Sequence, residues 1–409
     1  MSDYINRNDS GKIHGLLVEA IAKALKDIFE TGRHADKVIE YYLKGHRKWG
    51  SRDRRFFAEA VYEIVRAWRY LWWLRDEDPT LELSSLKLLW AYWWTWNRGE
   101  APTDFLTKVD KASLDIRLEK DPPIDILHSI PEWMHSRGVQ ELGDLWCDAL
   151  PYLNKPARVY LRTNTLKINS QSLIKELSEE GVSAEFVEVG QPDTLVLSER
   201  KNLFITKAFH KGLFELQDWS SQHVAPFLDV SPGMRVIDAC AGAGGKSLHI
   251  AALMKNKGKI IAMDVQEWKL KELRNRASRD GVDIIEVKVI EGQKTIKRMA
   301  ESADRLLLDV PCSGIGVLKR NPDAKWKLTT EELSRLNELQ KEILFSYSRL
   351  LKLGGKMVYS TCSIFPSENE KQVSHFLDQN KDFSLIKQKT FLPQENNWDG
   401  FYMALLERH

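Results

Sequence analysis

Val236-Ile237-Asp238-Ala239-Cys240-Ala241-Gly242-Ala243-Gly244-Gly245-Lys246-Ser247 is the stretch on which the fold turns. An apolar β-type run leads into a glycine-rich turn and then a helical pattern. This local arrangement offers a helix N-terminus and free backbone N–H groups to a nucleotide-type cofactor. Around and beyond it, strands alternate with helical stretches: Arg235–Ala239, Lys259–Met263, Asp283–Val289, Arg305–Asp309 and Lys356–Ser360. The alternation begins after Pro232-Gly233 and predicts a mostly parallel, doubly wound α/β sheet of Rossmann-like type.

The glycines choose among nucleotide cofactors. Gly244-Gly245-Lys246-Ser247 looks like the end of a phosphate-binding P-loop, but the glycine that must precede Gly245 with four residues between is replaced by Cys240. Gly242, Gly244 and Gly245 do not match the G-x-G-x-x-G dinucleotide spacing either. S-adenosylmethionine remains. Its ribose hydroxyls need an acidic acceptor at the end of the second strand, where Asp264 closes Ile260-Ile261-Ala262-Met263-Asp264. Asp264 also has a purely structural reading, as the cap of a helix that begins near Gln266.

Two cysteine-bearing stretches, Asp309-Val310-Pro311-Cys312-Ser313-Gly314 and Tyr359-Ser360-Thr361-Cys362-Ser363, follow the fourth and fifth strands of this pattern. Neighbouring strands would bring both thiols to the cofactor crevice. For methyl transfer to carbon, a thiolate has a definite task. C5 of a cytosine is a poor nucleophile until something adds at C6 and pushes electron density onto C5. The C5 proton must then leave and the thiol be eliminated, which calls for a second acid/base group that a second cysteine could supply. Asp309 is spaced to hydrogen-bond the N3/N4 edge of the base.

The rest of the chain frames this centre. With 409 residues the protein needs more than one domain. No apolar run is long enough to cross a membrane, and the first ten residues lack the features of a secretion signal, so a cytoplasmic location is expected. Cys147, Cys240, Cys312 and Cys362 show neither zinc-type C-x-x-C spacing nor a disulfide framework; free thiols and no metal are expected. Helix-period apolar positions (Leu16, Leu17, Ile21, Leu25 and Ile28, then Phe57, Val61, Ile64, Val65 and Trp68) predict an all-helical N-terminal domain. Further helical signals span Leu81–Trp96 and Val139–Leu150, with breaks at Pro102, Pro122, Pro123 and Pro131. A strand-like Arg158–Leu166, a helix over Ser170–Glu180 and short β-type segments follow. The expected domains are therefore helical 1–150, small α+β 151–214 and cofactor-binding α/β 215–409. Arg47, Lys48, Arg52, Arg54 and Arg55 crowd around Trp49, which reads as a phosphate-contacting surface or as a solvated basic face. Ten of the fourteen tryptophans precede residue 150, and most should be core.

Together these motifs resemble the Sun/Fmu (Nop-type) RNA 5-methylcytosine methyltransferases, most of all the bacterial RsmB branch. The resemblance runs through Gly212–Gln222, Asp238–Ser247, Asp309–Gly314, Arg320-Asn321-Pro322-Asp323 with Trp326, Ser360–Ser363 and Asp399-Gly400-Phe401-Tyr402. It implies that S-adenosylmethionine is held by the loop Cys240, Ala241, Gly242, Ala243, Gly244, Gly245 and Lys246, by Asp264 and by Asp309. It also implies that Cys362 is the nucleophile and that Cys312 assists product release. The basic helical domain resembles a NusB-like RNA-binding domain, and Arg158–Lys167 the family's small RNA-binding subdomain. Two departures stand out. Gly242-Ala243 replaces the usual Ala-Pro, and Glu291 occupies the region where an Asp usually meets the adenine. The expected enzyme is a monomer acting on small-subunit ribosomal RNA. Transfer RNA is the alternative substrate, and an RNA-binding or assembly factor with a degenerate core is the alternative outside catalysis.

Overall fold

The computed structural model describes residues 13–99 and 109–409, so the first ten residues and Pro102 lie outside it. Chain contacts divide it into two compact units, Met1–Pro156 with Leu318–Thr330, and Ala157–Val317 with Glu331–His409.

In the first unit the described residues are helical: α1 (Gly15–Thr31), α2 (Ala35–Gly45), α3 (Ser51–Arg66), α4 (Trp68–Arg75), α5 (Leu83–Arg98), α6 (Lys111–Leu118), α7 (Ile124–Leu127), α8 (Glu132–Leu142) and α9 (Asp144–Leu153). The apolar stripes of α1 and α3 meet in one core with Trp68, Trp72, Trp90, Trp93 and Trp94, so these indoles fill the interior. Leu16 differs from expectation: it is 78% exposed, one position off the buried face of α1. α8 and α9 part at Gly143, and Gly138 lies so close to the buried Trp146 that a Cβ there would sit 2.2 Å from the ring.

Leu318–Thr330 is stitched into this unit. The Ala35 backbone N–H donates to Asp323 Oδ2 (3.1 Å), Trp326 Nε1 donates to the Val65 carbonyl (2.8 Å), and Lys325 Nζ donates to the Arg66 carbonyl (2.8 Å) and Asn154 Oδ1 (3.1 Å). The Arg-Asn-Pro-Asp motif thus serves the helical unit, although it lies in the chain between two catalytic segments.

The second unit holds two sheets. The smaller, antiparallel sheet has the order β2-β3-β1-β4, from β1 (Tyr160–Thr163), β2 (Ala184–Phe186), β3 (Thr194–Leu197) and β4 (Phe214–Leu216). The helix α10 (Ser170–Glu179) starts where the Asn169 side chain accepts from the Ser172 N–H at 2.9 Å, and buries Leu173 and Leu177 in the core shared with β1, β3 and β4.

The larger sheet has seven strands in the order β10-β11-β9-β8-β5-β6-β7. β5 (Arg235–Asp238), β6 (Lys259–Asp264), β7 (Ile285–Val289), β8 (Ala303–Asp309) and β9 (Leu351–Thr361) pair in parallel, as the alternating pattern predicts. The pattern gave no sign of β10 (Phe383–Phe391) and β11 (Phe401–Arg408), which pair antiparallel beyond β9. The middle of β10 is exposed and carries lysines, as edge strands often do, and so lacks a buried-strand signature. Around the sheet lie α11 (Gly245–Leu253), α12 (Glu267–Asp280), α13 (Thr330–Tyr347) and α14 (Glu370–Gln379). The direction of winding reverses between β5 and β8. In this Rossmann-like fold a ligand crevice opens there, at the carboxyl ends of the strands.

Candidate active site

The turn after β5 is built to expose backbone. Gly242 and Gly244 have φ of 54° and 89°, and a Cβ on Gly244 would lie 2.4 Å from Leu273. The Gly242 N–H donates to Asp264 Oδ2 (2.9 Å), while Asp264 Oδ1 accepts from the Gln266 N–H (2.8 Å). Asp264 therefore ties the loop to the end of β6 as well as facing the crevice. Two loop carbonyls are held by guanidinium groups: Arg276 reaches Ala243 O and Arg162 reaches Gly245 O, both at 2.7 Å. The Gly212–Gln222 motif supports that clamp, since Glu215 pairs with Arg276 and Arg279, and Gln217 accepts from Arg162. Burial pushes Arg162 down to about 9, which leaves it charged at neutral pH.

Beside the loop is a cleft of about 500 Å³ whose lining includes Cys240, Asp264, Val265, Glu291, Pro311 and Tyr347. Its size suits a nucleoside-type ligand. Carboxylates such as Asp264 and Glu291 next to apolar walls suit a group with ribose hydroxyls and a flat base, so these residues fit S-adenosylmethionine. Asp264 and Glu291 share this cleft as the sequence predicts, and Pro311 carries its wall toward the thiols. Cys240 is pushed well up, first by burial and then by the charges of Asp238, Asp309 and Asp264, which keeps it a neutral wall group.

Cys312 and Cys362, 50 residues apart in sequence, stand with Sγ atoms 3.2 Å apart, and the Cys362 N–H donates to Cys312 Sγ (3.3 Å). Strand register produces this meeting: Asp309 of β8 sits opposite Ser360 of β9, so both chains leave the sheet together. The Cys362 carbonyl accepts from the Gly316 N–H (3.0 Å), whose own carbonyl accepts from Gly400 (2.8 Å). A Cβ on Gly316 would come within 2.1 Å of the Gly400 oxygen, and one on Gly400 within 2.8 Å of Gly316 Cα, so the close approach requires glycine at both positions.

Lys246 Nζ pairs with Asp309 Oδ2 at 2.5 Å, and Ser360 Oγ donates to Asp309 Oδ1 at 2.9 Å. Burial is the largest influence on Lys246 and opposes its charge. Asp309, with smaller contributions from Cys362 and Asp238, outweighs it and raises the ammonium above its ordinary value. Cys312 is raised well above the ordinary thiol range, first by its hydrogen bond with Cys362, then by burial and by the negative charges of Cys362 and Glu368.

Other groups carry part of the site without a strong local signal. Asp238 is buried, accepts from Ser247 Oγ at 2.6 Å and is pushed up to about 7, first by burial and also by the charge of Asp309. Its place at a strand end before the glycines was the only clue. Arg162, Arg276 and Gln340 lie outside any catalytic pattern. Glu368 is signalled only by its closeness to Cys362 in the chain. Among the described residues no group of three or more His, Cys, Asp or Glu could hold a metal, and no helix is long and apolar enough to cross a membrane.

In the helical unit, Arg47, Lys48, Arg52 and Arg55 are exposed, whereas Arg54 is half-buried and donates to the Leu43 carbonyl at 2.9 Å. Arg54 therefore braces the loop between α2 and α3 rather than standing ready for phosphate. Trp49 is also engaged, stacked on His46 at 4.2 Å between ring centres.

Known proteins resemble this chain over most of its length. A model of the 16S rRNA methyltransferase RsmB/F family matches residues 225–407, and a model of the RsmF/B-like ferredoxin-like domain matches residues 130–203. A probable ribosomal RNA small subunit methyltransferase B from Synechocystis is 34% identical, over 94% of this chain and 97% of the relative. The ribosomal RNA small subunit methyltransferase B of Proteus mirabilis is 32% identical, over 95% and 97%. Among solved structures, PH0851 matches 97% of this chain and all of its own length, with a TM-score of 0.78 at 27% identity. A methyltransferase homologue from Pyrococcus horikoshii matches 70% of this chain and 98% of its own, with a TM-score of 0.62 at 29% identity.

Proposed function

Because the chain belongs to the RsmB/F family of 16S rRNA methyltransferases, we propose that it methylates C5 of a cytosine in small-subunit ribosomal RNA through a covalent adduct of Cys362 at C6. The observation that carries this reading is the thiol pair, 3.2 Å between sulfurs, at the end of the cofactor cleft. S-adenosylmethionine, held by the Cys240–Lys246 loop with Asp264 and Glu291, supplies an electrophilic methyl group. Everything else falls to the chain's own residues. Lys246, kept charged by Asp309, supplies a positive charge within electrostatic range of Cys362. Asp309 is available to the N3/N4 edge of the base while its other contacts hold it in place. After methyl transfer the C5 proton passes to water, the C5–H electron pair re-forms the C5=C6 bond, and the C6–S bond breaks with its pair returning to Cys362. Cys312, which keeps its proton, donates a hydrogen bond to that departing sulfur. Methylation of a protein or a small molecule would leave the pair without a task.

The exposed Arg47, Lys48, Arg52 and Arg55 support an RNA-binding role for the helical unit in the manner of a NusB-like domain. The test of the whole reading is to incubate the protein with S-adenosylmethionine and unmodified small-subunit rRNA and read each cytosine by bisulfite sequencing. One newly protected cytosine that depends on Cys362 is the expected result. No protection, with cofactor binding confirmed, would move the substrate to transfer RNA or to an assembled particle.

A further inference from the structure

Glu368 is a fully buried carboxylate a few residues beyond the strand β9, which ends just before Cys362. Burying such a group is costly unless its oxygens are satisfied. Here Oε1 accepts from the Ser313 backbone N–H at 2.8 Å and from Gln340 Nε2 at 2.9 Å, and Oε2 accepts from the Ser313 hydroxyl at 2.5 Å. Gln340, equally buried, extends the clamp by donating to the Pro311 carbonyl at 3.0 Å. The residues on either side of Cys312 are therefore held by one carboxylate, directly or through Gln340. All of these donors are neutral, so the charge of Glu368 is not cancelled within the clamp.

Two titratable groups face this carboxylate. Cys312 comes from the loop after β8, and Tyr359 comes from β9 and donates to the Glu368 backbone carbonyl at 2.6 Å. The tyrosine is pushed well up, first by burial and then by Glu368, and so remains a neutral donor. Cys362 touches Cys312 on its other side, in the range of Lys246. The thiol pair thus has a negative neighbour toward Cys312 and a positive one toward Cys362.

We infer that Glu368 is a positioning residue, which fixes the Pro311-Cys312-Ser313 loop and holds Cys312 as the thiol partner of a Cys362 thiolate. The inference rests on Cys362 being the nucleophile, and adds the carboxylate that fixes the loop carrying the second thiol and places a negative charge on its side of the pair.

Glu368→Gln preserves the shape and removes the charge. In the full chain carrying Cys362→Ala, which leaves Cys312 alone at the site, alkylation of Cys312 by iodoacetamide is followed across pH by peptide mass spectrometry. Adding Glu368→Gln should make that alkylation about tenfold faster at neutral pH. With both thiols present, Glu368→Gln should lower turnover about tenfold while the Kd for S-adenosylmethionine stays unchanged. An alkylation profile that does not move would overturn the inference, whatever turnover does. Should Glu368→Gln fail to fold, the unaltered protein decides: Cys362 should be alkylated at least about tenfold faster than Cys312 at neutral pH, and equal rates would overturn it. Turnover retained by Cys362→Ala is a different failure, since it removes the nucleophile on which the inference rests.

Discussion

Lys325 and Lys246, one in each unit, are both largely withdrawn from water, and their surroundings differ. Lys325 in the helical unit is 1% exposed and donates to the Arg66 carbonyl and to Asn154. Among the described residues it has no carboxylate at hydrogen-bond distance, and its ammonium is pushed well below the lysine range, first by burial and then by the charge of Arg66. Lys246 is also taken from water, yet Asp309 raises it. Burial of a cation does not mark a reaction centre. Lys325 closes a structural seam with neutral acceptors, whereas Lys246 stands among groups that can exchange charge, a carboxylate and a thiol.

The most direct way to break this contrast is to remove the group on which Lys246 is proposed to act. Cys362→Ala should lower turnover by about 10⁴-fold or more, with S-adenosylmethionine binding by calorimetry nearly unchanged; substantial activity would leave Lys246 no more catalytic than Lys325. Next, Cys312→Ala should let an RNA–protein adduct build up when S-adenosylmethionine is present. A denaturing gel without a shifted band would deny Cys312 a part in release. Lys246→Met should reduce turnover by about a hundredfold while the protein stays folded by circular dichroism. Arg162→Ala, which frees the Gly245 carbonyl without touching the thiols, should weaken cofactor binding about tenfold and spare the reactivity of Cys362 toward iodoacetamide.

The smallest effect on chemistry belongs to Lys325→Met, with turnover within about twofold of the parent because the seam is structural. Its signature is instead in stability. Folding lowers the affinity of Lys325 for its proton, so between its folded value and the ordinary lysine value the unfolded chain binds more protons. Stability should then rise as pH goes from neutral to alkaline, and Lys325→Met should flatten that rise in thermal unfolding. A rise of the same steepness in the variant would show that Lys325 is not the group responsible.

The contrast also measures how far the amino-acid order can be read. The β5 loop, the five parallel strands and the four residues Cys362, Cys312, Asp309 and Lys246 were legible because strand periodicity, turn glycines and short motifs are local. The basic cluster was legible only in part. Arg54 reads like its neighbours, and only the fold shows that it is tied to the Leu43 carbonyl. The same holds for Arg-Asn-Pro-Asp, whose place in the chain suggests the catalytic unit and whose contacts lie in the helical one.

Sequence alone thus determined the alternating sheet, the glycine loop after β5 and the residues proposed to react, since each depends on residues close together along the chain. Tertiary structure decided that sulfurs 50 residues apart lie 3.2 Å from each other, that Glu368 and Lys246 flank them, and that burial lowers the ammonium of Lys325 while Asp309 raises that of Lys246. Those outcomes depend on strand order, register and the dielectric around each group. These arise only when distant segments pack, and no local pattern carries them.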